Sequence, residues 1–117
     1  MPHVVLEGRV TIDDAARRFE PFVVRERDLV IKAERIYRER DGRAALVEMV
    51  VVGPGHTQKF FIQLSPRRGG LTVRLEPLTD PEKTPGVRRA IARVAHRLAA
   101  ATGARYGSTN IEDDLIR

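Results

Sequence analysis

The chain has 117 residues, 42% hydrophobic and 32% charged, enough for one domain around a modest core and unlike a disordered or membrane-embedded chain. Its formal net charge is +5 and it has no cysteine, which excludes disulfides, thiolate metal sites and cysteine nucleophiles. No apolar run nears the roughly 20 residues of a membrane span, and Met1-Pro2-His3 lacks the basic start of a signal peptide, so the expectation is one cytoplasmic domain, residues 1–117, with no membrane partner.

His3–Val10 alternates imperfectly and reads as a short strand. Thr11 is placed to cap a short helix running to Phe19, with Asp13 and Asp14 in its first turn, and Pro21 ends it. Residues 29–40 fit either period. Leu29, Ala33, Ile36 and Tyr37 make a helical stripe, but Asp41-Gly42 is a strong hairpin signal and Ala44–Val52 is plainly strand-like. A long strand at 29–40 is therefore expected. Gly53-Pro54-Gly55 turns the chain, and Thr57–Ser65 with Leu71–Glu76 makes a second hairpin around Ser65–Gly70. After a linker at Asp80–Gly86, Thr84 caps a helix with Pro85 at its first position. Val87, Ile91, Val94 and Leu98 form its apolar stripe, and Gly103 stops it. Its other face carries Arg88, Arg89, Arg93 and Arg97, a solvated face that is also able to lie along duplex phosphates. Asn110 is placed to cap a last short helix containing Glu112 to Asp114.

The expected fold is α+β: an antiparallel four-stranded meander sheet, a C-terminal helix packed on one face, and short helices near both ends. Pairing Arg40 with Arg43 puts Tyr37/Leu46, Arg35/Glu48, Ala33/Val50 and Ile31/Val52 on the drier face. Arg38/Ala45, Ile36/Val47, Glu34/Met49 and Lys32/Val51 then fall on the other. In the second hairpin, Leu64/Leu71, Ile62/Val73 and Phe60/Leu75 form a dry face. Gln63/Thr72, Phe61/Arg74 and Lys59/Glu76 form its reverse. The reverse face is semi-apolar and basic, and the short helix at 13–19 is placed to cover part of it through Ala15, Ala16 and Phe19.

Residues 32–75 hold nine Lys/Arg against four Asp/Glu, whereas residues 1–31 hold five against six. A clustered positive block, with a sequence pI near 10.4, points to a polyanion partner or to a solvated basic surface. Unpaired bases need flat or apolar surfaces and their phosphates need cations. The candidate nucleic-acid-binding residues are Lys32, Arg38, Lys59 and Arg74 for phosphates, with Phe61, Ile36 and Met49 under the bases. Arg40 and Arg43 lie at one hairpin tip, and Arg67 and Arg68 at the other. Burial under a helix or a partner subunit is the competing reading of Phe61. His3, His56 and His96 have no metal spacing, and no catalytic constellation is visible. No enzyme, cofactor or metal is expected.

"RIYRERDGRAALVEMVVVGPG" and "KFFIQLSPRRGGLTVRL" together resemble, over roughly residues 10–103, the ThermoDBP-related single-stranded DNA-binding proteins of hyperthermophilic archaea. The absence of cysteine and scarcity of amides fit a thermophile. The resemblance implies binding of single strands in a basic cleft with exposed hydrophobic residues. No long heptad run matches the zipper-like dimerisation segment of that family's founding members. A four-strand-then-helix order is also similar to that of coactivators that bind single strands as dimers. The expected function is sequence-tolerant binding of single-stranded nucleic acid, DNA or RNA, by a monomer or homodimer. The alternatives are a protein-interaction module that buries the second face, or a small enzyme whose site leaves no motif.

Overall fold

The computed structural model describes residues 1–116. Its strands are β1 (His3–Glu7), β2 (Phe22–Glu26), β3 (Leu29–Arg38), β4 (Ala45–Gly53), β5 (His56–Arg67), β6 (Gly70–Leu75) and β7 (Arg105–Thr109); its α-helices are α1 (Ile12–Arg18) and α2 (Pro85–Thr102), and a 3-10 turn covers Glu112–Asp114. All seven strands join one antiparallel sheet in the order β2-β3-β4-β5-β6-β1-β7. The sheet curls as half a barrel, with the helices on its inner face. This overturns the four-stranded meander. The four expected strands are the middle of a larger sheet, extended by β2 on one edge and by β1 and β7 on the other. β2 and β7 are five residues each and lie at the edges, where a short strand needs only one partner and carries little period.

Local chemistry sets the helices as the sequence predicts. The Thr84 hydroxyl accepts from Val87 N at 3.3 Å, Pro85 opens α2, and Gly103 closes it in the left-handed region at φ 79°. Val87, Ala90, Ile91, Val94, Ala95 and Leu98 are buried against the sheet, an i, i+3, i+4, i+7 stripe whose alanines bring the helix axis close. Thr11 caps α1 by accepting from Asp14 N at 3.0 Å. Ile12 and Ala15 of α1 join the same core, so α1 lies on the inner side with α2 and does not shield the reverse face. Asn110 does not cap the last turn. Its side chain accepts from His3 N at 3.0 Å and donates to Met1 O at 2.9 Å, tying the first residues to the end of β7.

Two register differences decide which side chains share a face. Asp41-Gly42 does mark the first turn, but in a longer loop: Glu39 N donates to Ala44 O and Gly42 N to Glu39 O, both at 2.9 Å. The pairs Arg38/Ala45, Ile36/Val47 and Tyr37/Leu46 follow as expected. A β-bulge then sets Glu34 and Arg35 against Glu48 alone, so Ala33 meets Met49 and Ile31 meets Val51. The bulge lets Ile31, Ala33 and Ile36 all face inward; without it Ile36 and Ala33 fall on opposite faces. In the second hairpin Ile62 pairs with Leu75 and Leu64 with Val73, two residues from the expected pairing. A shift of two keeps every side chain on its face but moves Arg74 from Phe61 to Gln63. The shift arises because β5 runs on through Pro66, beyond the start of β4, where the missing N–H has no partner strand on that side to serve.

The larger correction concerns β4. Ala45, Val47, Met49 and Val51 are its buried residues, lying opposite Leu64, Ile62, Phe60 and Gln58 on β5. The expected reverse face, with Val47 and Met49 exposed, is therefore inverted on this strand. β4 is apolar on both sides, and only its pairing with the alternating β5 decides which side is wet.

Candidate nucleic-acid interface

The outer face of the sheet is built as three rows running across the strands. One row aligns Lys32, Val50 and Lys59; the next sets Glu48 beside Phe61; the third aligns Tyr37, Leu46, Gln63 and Arg74. Phe61 is half-buried, and no helix crosses it. Its ring packs edge-on to Tyr37, centroids 6.2 Å apart and planes at 79°, a favourable geometry for two aromatic quadrupoles. Tyr37 OH donates to Glu48 Oε2 at 3.3 Å. Tyr37 and, by its charge, Glu48 push the pKa of the Arg35 guanidinium above its ordinary value. Arg74 Nε donates to Gln63 Oε1 at 3.1 Å, which ties the guanidinium to its cross-strand neighbour.

The backbone of Phe61 is satisfied by the chain that follows β6. Glu76 N donates to Phe61 O at 2.9 Å, and Phe61 N donates to Thr79 Oγ1 at 3.2 Å. Leu78, 93% exposed, stands beside it. Two open grooves flank the ring. One, about 510 Å³, is lined by Tyr37, Leu46, Phe61, Gln63 and Leu78. The other, about 560 Å³, is lined by Lys32, Glu34, Glu48, Val50, Lys59 and Phe61. Both lie in the size range of ligand-binding clefts.

Of the sequence-predicted site residues, Lys32, Lys59, Phe61 and Arg74 are brought together on this face. Ile36 and Met49 are not. Ile36 packs against the core and Met49 is fully buried, so neither lies under a base on the outer face. Arg38 turns to the inner side, where its guanidinium pairs with Asp13 of α1. Arg40 and Arg43 sit in the loop after β3, with Arg43 Nε 3.3 Å from Asp41 Oδ2. Arg67 and Arg68 sit at the β5–β6 turn. Sequence reasoning missed Leu46, Val50 and Leu78 and assigned Tyr37 to the core edge. Glu48, the lone charge in the β4 run, is the signal that marks the wet parity. Leu78 and Thr79 carry no such signal. The face also holds Glu34 and Glu48, so it is more mixed in charge than the sequence block implies.

The arginine face of α2 is engaged within the fold. Arg93 donates from Nε to Glu26 Oε2 at 2.5 Å, from Nη2 to Glu26 Oε1 at 3.0 Å and from Nη1 to Asp114 O at 2.8 Å. Arg89 lies 3.6 Å from the same carboxylate. The hydrogen bond from Arg93 is the main cause that holds Glu26 below its ordinary pKa, against the opposing effect of burial. Arg97 lies over the Phe22 ring at 4.6 Å, and Arg88 donates to Lys83 O at 2.8 Å. Among the described residues, no group of three or more His, Asp or Glu is placed to hold a metal ion, and no helix is long and apolar enough to cross a membrane.

No protein-family model and no solved structure matches the chain. A curated protein to which it is similar is a tRNA (guanine-N(7)-)-methyltransferase of Thermotoga maritima, 28% identical over 100 residues; the match takes in 86% of this chain and 31% of that protein. The chain thus spans about a third of the length of the curated relative it matches. That relative is an enzyme, which counts against the expectation of a non-enzyme.

Proposed function

We propose that this chain binds nucleic acid without strong sequence preference, taking unpaired nucleotides on the outer face of its sheet. The observation that carries the reading is the uncovered Tyr37–Phe61 pair, set between the Lys32/Lys59 row and Arg74. A base laid against such rings gains roughly 1–3 kcal/mol by stacking, and flanking cations serve the phosphates on either side. The resemblance to single-strand-binding proteins and the similarity to a tRNA methyltransferase support the same ligand class by separate routes. The second shifts the preferred ligand from DNA to RNA. Recognition of RNA is the part of that relative's activity that this sheet can supply by itself. An antiparallel sheet lacks the parallel-strand switch point at which open α/β sheets bind nucleotide-like ligands. The chain's own contribution is therefore binding, and methyl transfer to tRNA by this chain alone, from a radiolabelled methyl donor, would overturn that assignment.

Titration of a labelled oligo-U and oligo-dT at several salt concentrations tests the binding. Affinity is expected to fall with salt in proportion to the phosphates contacted. Phe61→Ala is expected to weaken binding by about tenfold, the loss of one stacked base, and to lower the thermal midpoint by only a few degrees, since the ring is half-buried and packs edge-on to Tyr37. No binding of either strand at low salt refutes the proposal.

A protein-interaction role has its own supporting observation in the apolar side chains of this face, Leu78 above all. Sedimentation of Phe61→Asp separates the two readings. A dimer that dissociates favours the interface, and an unchanged oligomer that loses oligonucleotide binding favours the platform.

A further inference from the structure

We propose that one end of the sheet grips the sugar–phosphate backbone of a paired stem, so that the preferred ligand is folded RNA with a stem beside unpaired strand. The inference rests on the nucleic-acid reading above and narrows its ligand. Strand pairing gathers the parts. Arg67 pairs with Gly70, Gly70 with Glu7, and Glu7 with Arg105, while Gly8 N donates to Gly69 O at 2.9 Å. The pairing of Ala45 with Leu64 sets the loop after β3 at the same end. From Arg67 on β5 to Arg105 on β7 is three inter-strand steps, roughly 14 Å.

Arg9, Arg40, Arg67, Arg68 and Arg105 are all exposed there, and among the described residues none of the five forms an ion pair with a carboxylate. Near the opposite end Lys83 pairs with Asp80, and Arg89 and Arg93 with Glu26, which leaves Arg25 and Arg27 there without an ion pair among the described residues. A row of five guanidinium groups against the three carboxylates Glu7, Glu39 and Asp41 leaves this end positive, and its forks match phosphate in charge and in geometry. Tyr37 lies on the outer face and not in this row, and Tyr106, next to Arg105, packs against the core with its hydroxyl buried. The row therefore has no ring with which to stack a base, and it suits backbone contacts, by which an A-form duplex is held. The aromatic face and the arginine end divide the ligand between them, unpaired bases to one and stem phosphates to the other.

The test compares, by fluorescence anisotropy, a stem–loop RNA with a short single-stranded tail and an unstructured RNA of the same length. The wild type is expected to bind the stem–loop about tenfold more tightly, and Arg67→Gln/Arg68→Gln/Arg105→Gln to lose roughly that preference and about two to three units of salt slope on the stem–loop. Binding to the unstructured strand stays within about threefold, because its base contacts lie elsewhere. Arg9→Gln/Arg40→Gln, on the same row, checks the result independently, with circular dichroism confirming that each variant is folded. A wild type that prefers the unstructured strand, or variants with unchanged stem–loop affinity and salt slope, overturns this inference and leaves the general binding reading standing. A wild type that binds neither RNA overturns both.

Discussion

Gly70→Ala is expected to cost about 4 kcal/mol, at the diagnostic end of the range for single substitutions, or to prevent folding. A Cβ at this position would stand 1.9 Å from Leu6 O, 2.9 Å from Leu6 C and 3.1 Å from Glu7 Cα. All three are backbone atoms of β1, and no rotamer change relieves them. To admit one methyl group, β1 must move away from β6, and β1 carries β7 with it. Gly69→Ala differs in kind. That residue has open space around it but a φ of 79°, so its penalty is the smaller one of a left-handed alanine, about 1 kcal/mol. Urea unfolding of the two variants checks the order. Equal effects would mean that both glycines serve only the turn.

The second large effect is expected at Arg93. Its side chain is 11% exposed and joins β2, α2 and the turn after β7 through a single guanidinium. Arg93→Ala removes three hydrogen bonds and leaves the Glu26 carboxylate, 22% exposed, with only Arg89 nearby. A loss of about 3 kcal/mol is expected, most of it from the stranded carboxylate. Arg93→Lys recovers part of this, since one ammonium cannot reproduce the fork. The pH dependence has a definite sign. Glu26 is held below its ordinary value near 4.5, so the ion pair contributes fully above that value and is lost as pH falls through the depressed one. The stability gap between wild type and Arg93→Ala, measured by denaturation at pH 7 and again near pH 3, should therefore narrow at the lower pH. A constant gap would assign the effect to packing of the arginine stem.

What was legible in the sequence follows the range of the forces. The caps of α1 and α2 depend on contacts three or four residues away, and Thr11, Thr84, Pro85 and Gly103 act where they were expected to. The parity of β5 was legible because Phe60, Ile62 and Leu64 alternate with Lys59, Gln63 and Ser65, Phe61 being the one apolar residue on the other side. β4 offers no such contrast, and its faces are assigned by its cross-strand partners on β5, from Gln58 opposite Val51 to Leu64 opposite Ala45. The bulge at Glu34-Arg35 was hidden for the same reason, and it moved Tyr37 from the expected core edge to the side of Phe61. Gly70 announced itself as a turn residue. That it makes room for a strand more than sixty positions earlier in the chain is visible only in the assembled sheet. Lys59, Phe61 and Arg74 were found together because they lie on the two strands whose alternation is cleanest.

The bulge in β3 also governs how this fold tolerates changes of length. Leu29, Ile31 and Ala33 are in phase with the core, and Tyr37, four positions after Ala33, reaches the ligand face because the bulge takes up one of the residues between them. Removing a single residue at 34–35 would abolish the bulge and leave a regular strand, with Ile36 still opposite Val47 and Tyr37 still opposite Leu46, so that the core and the aromatic pair both survive. The same deletion in the loop at 39–44 would leave both strands in phase. Loss of a residue should therefore be tolerated at two places in this hairpin, its tip and the bulge in β3, both of them exposed and charged.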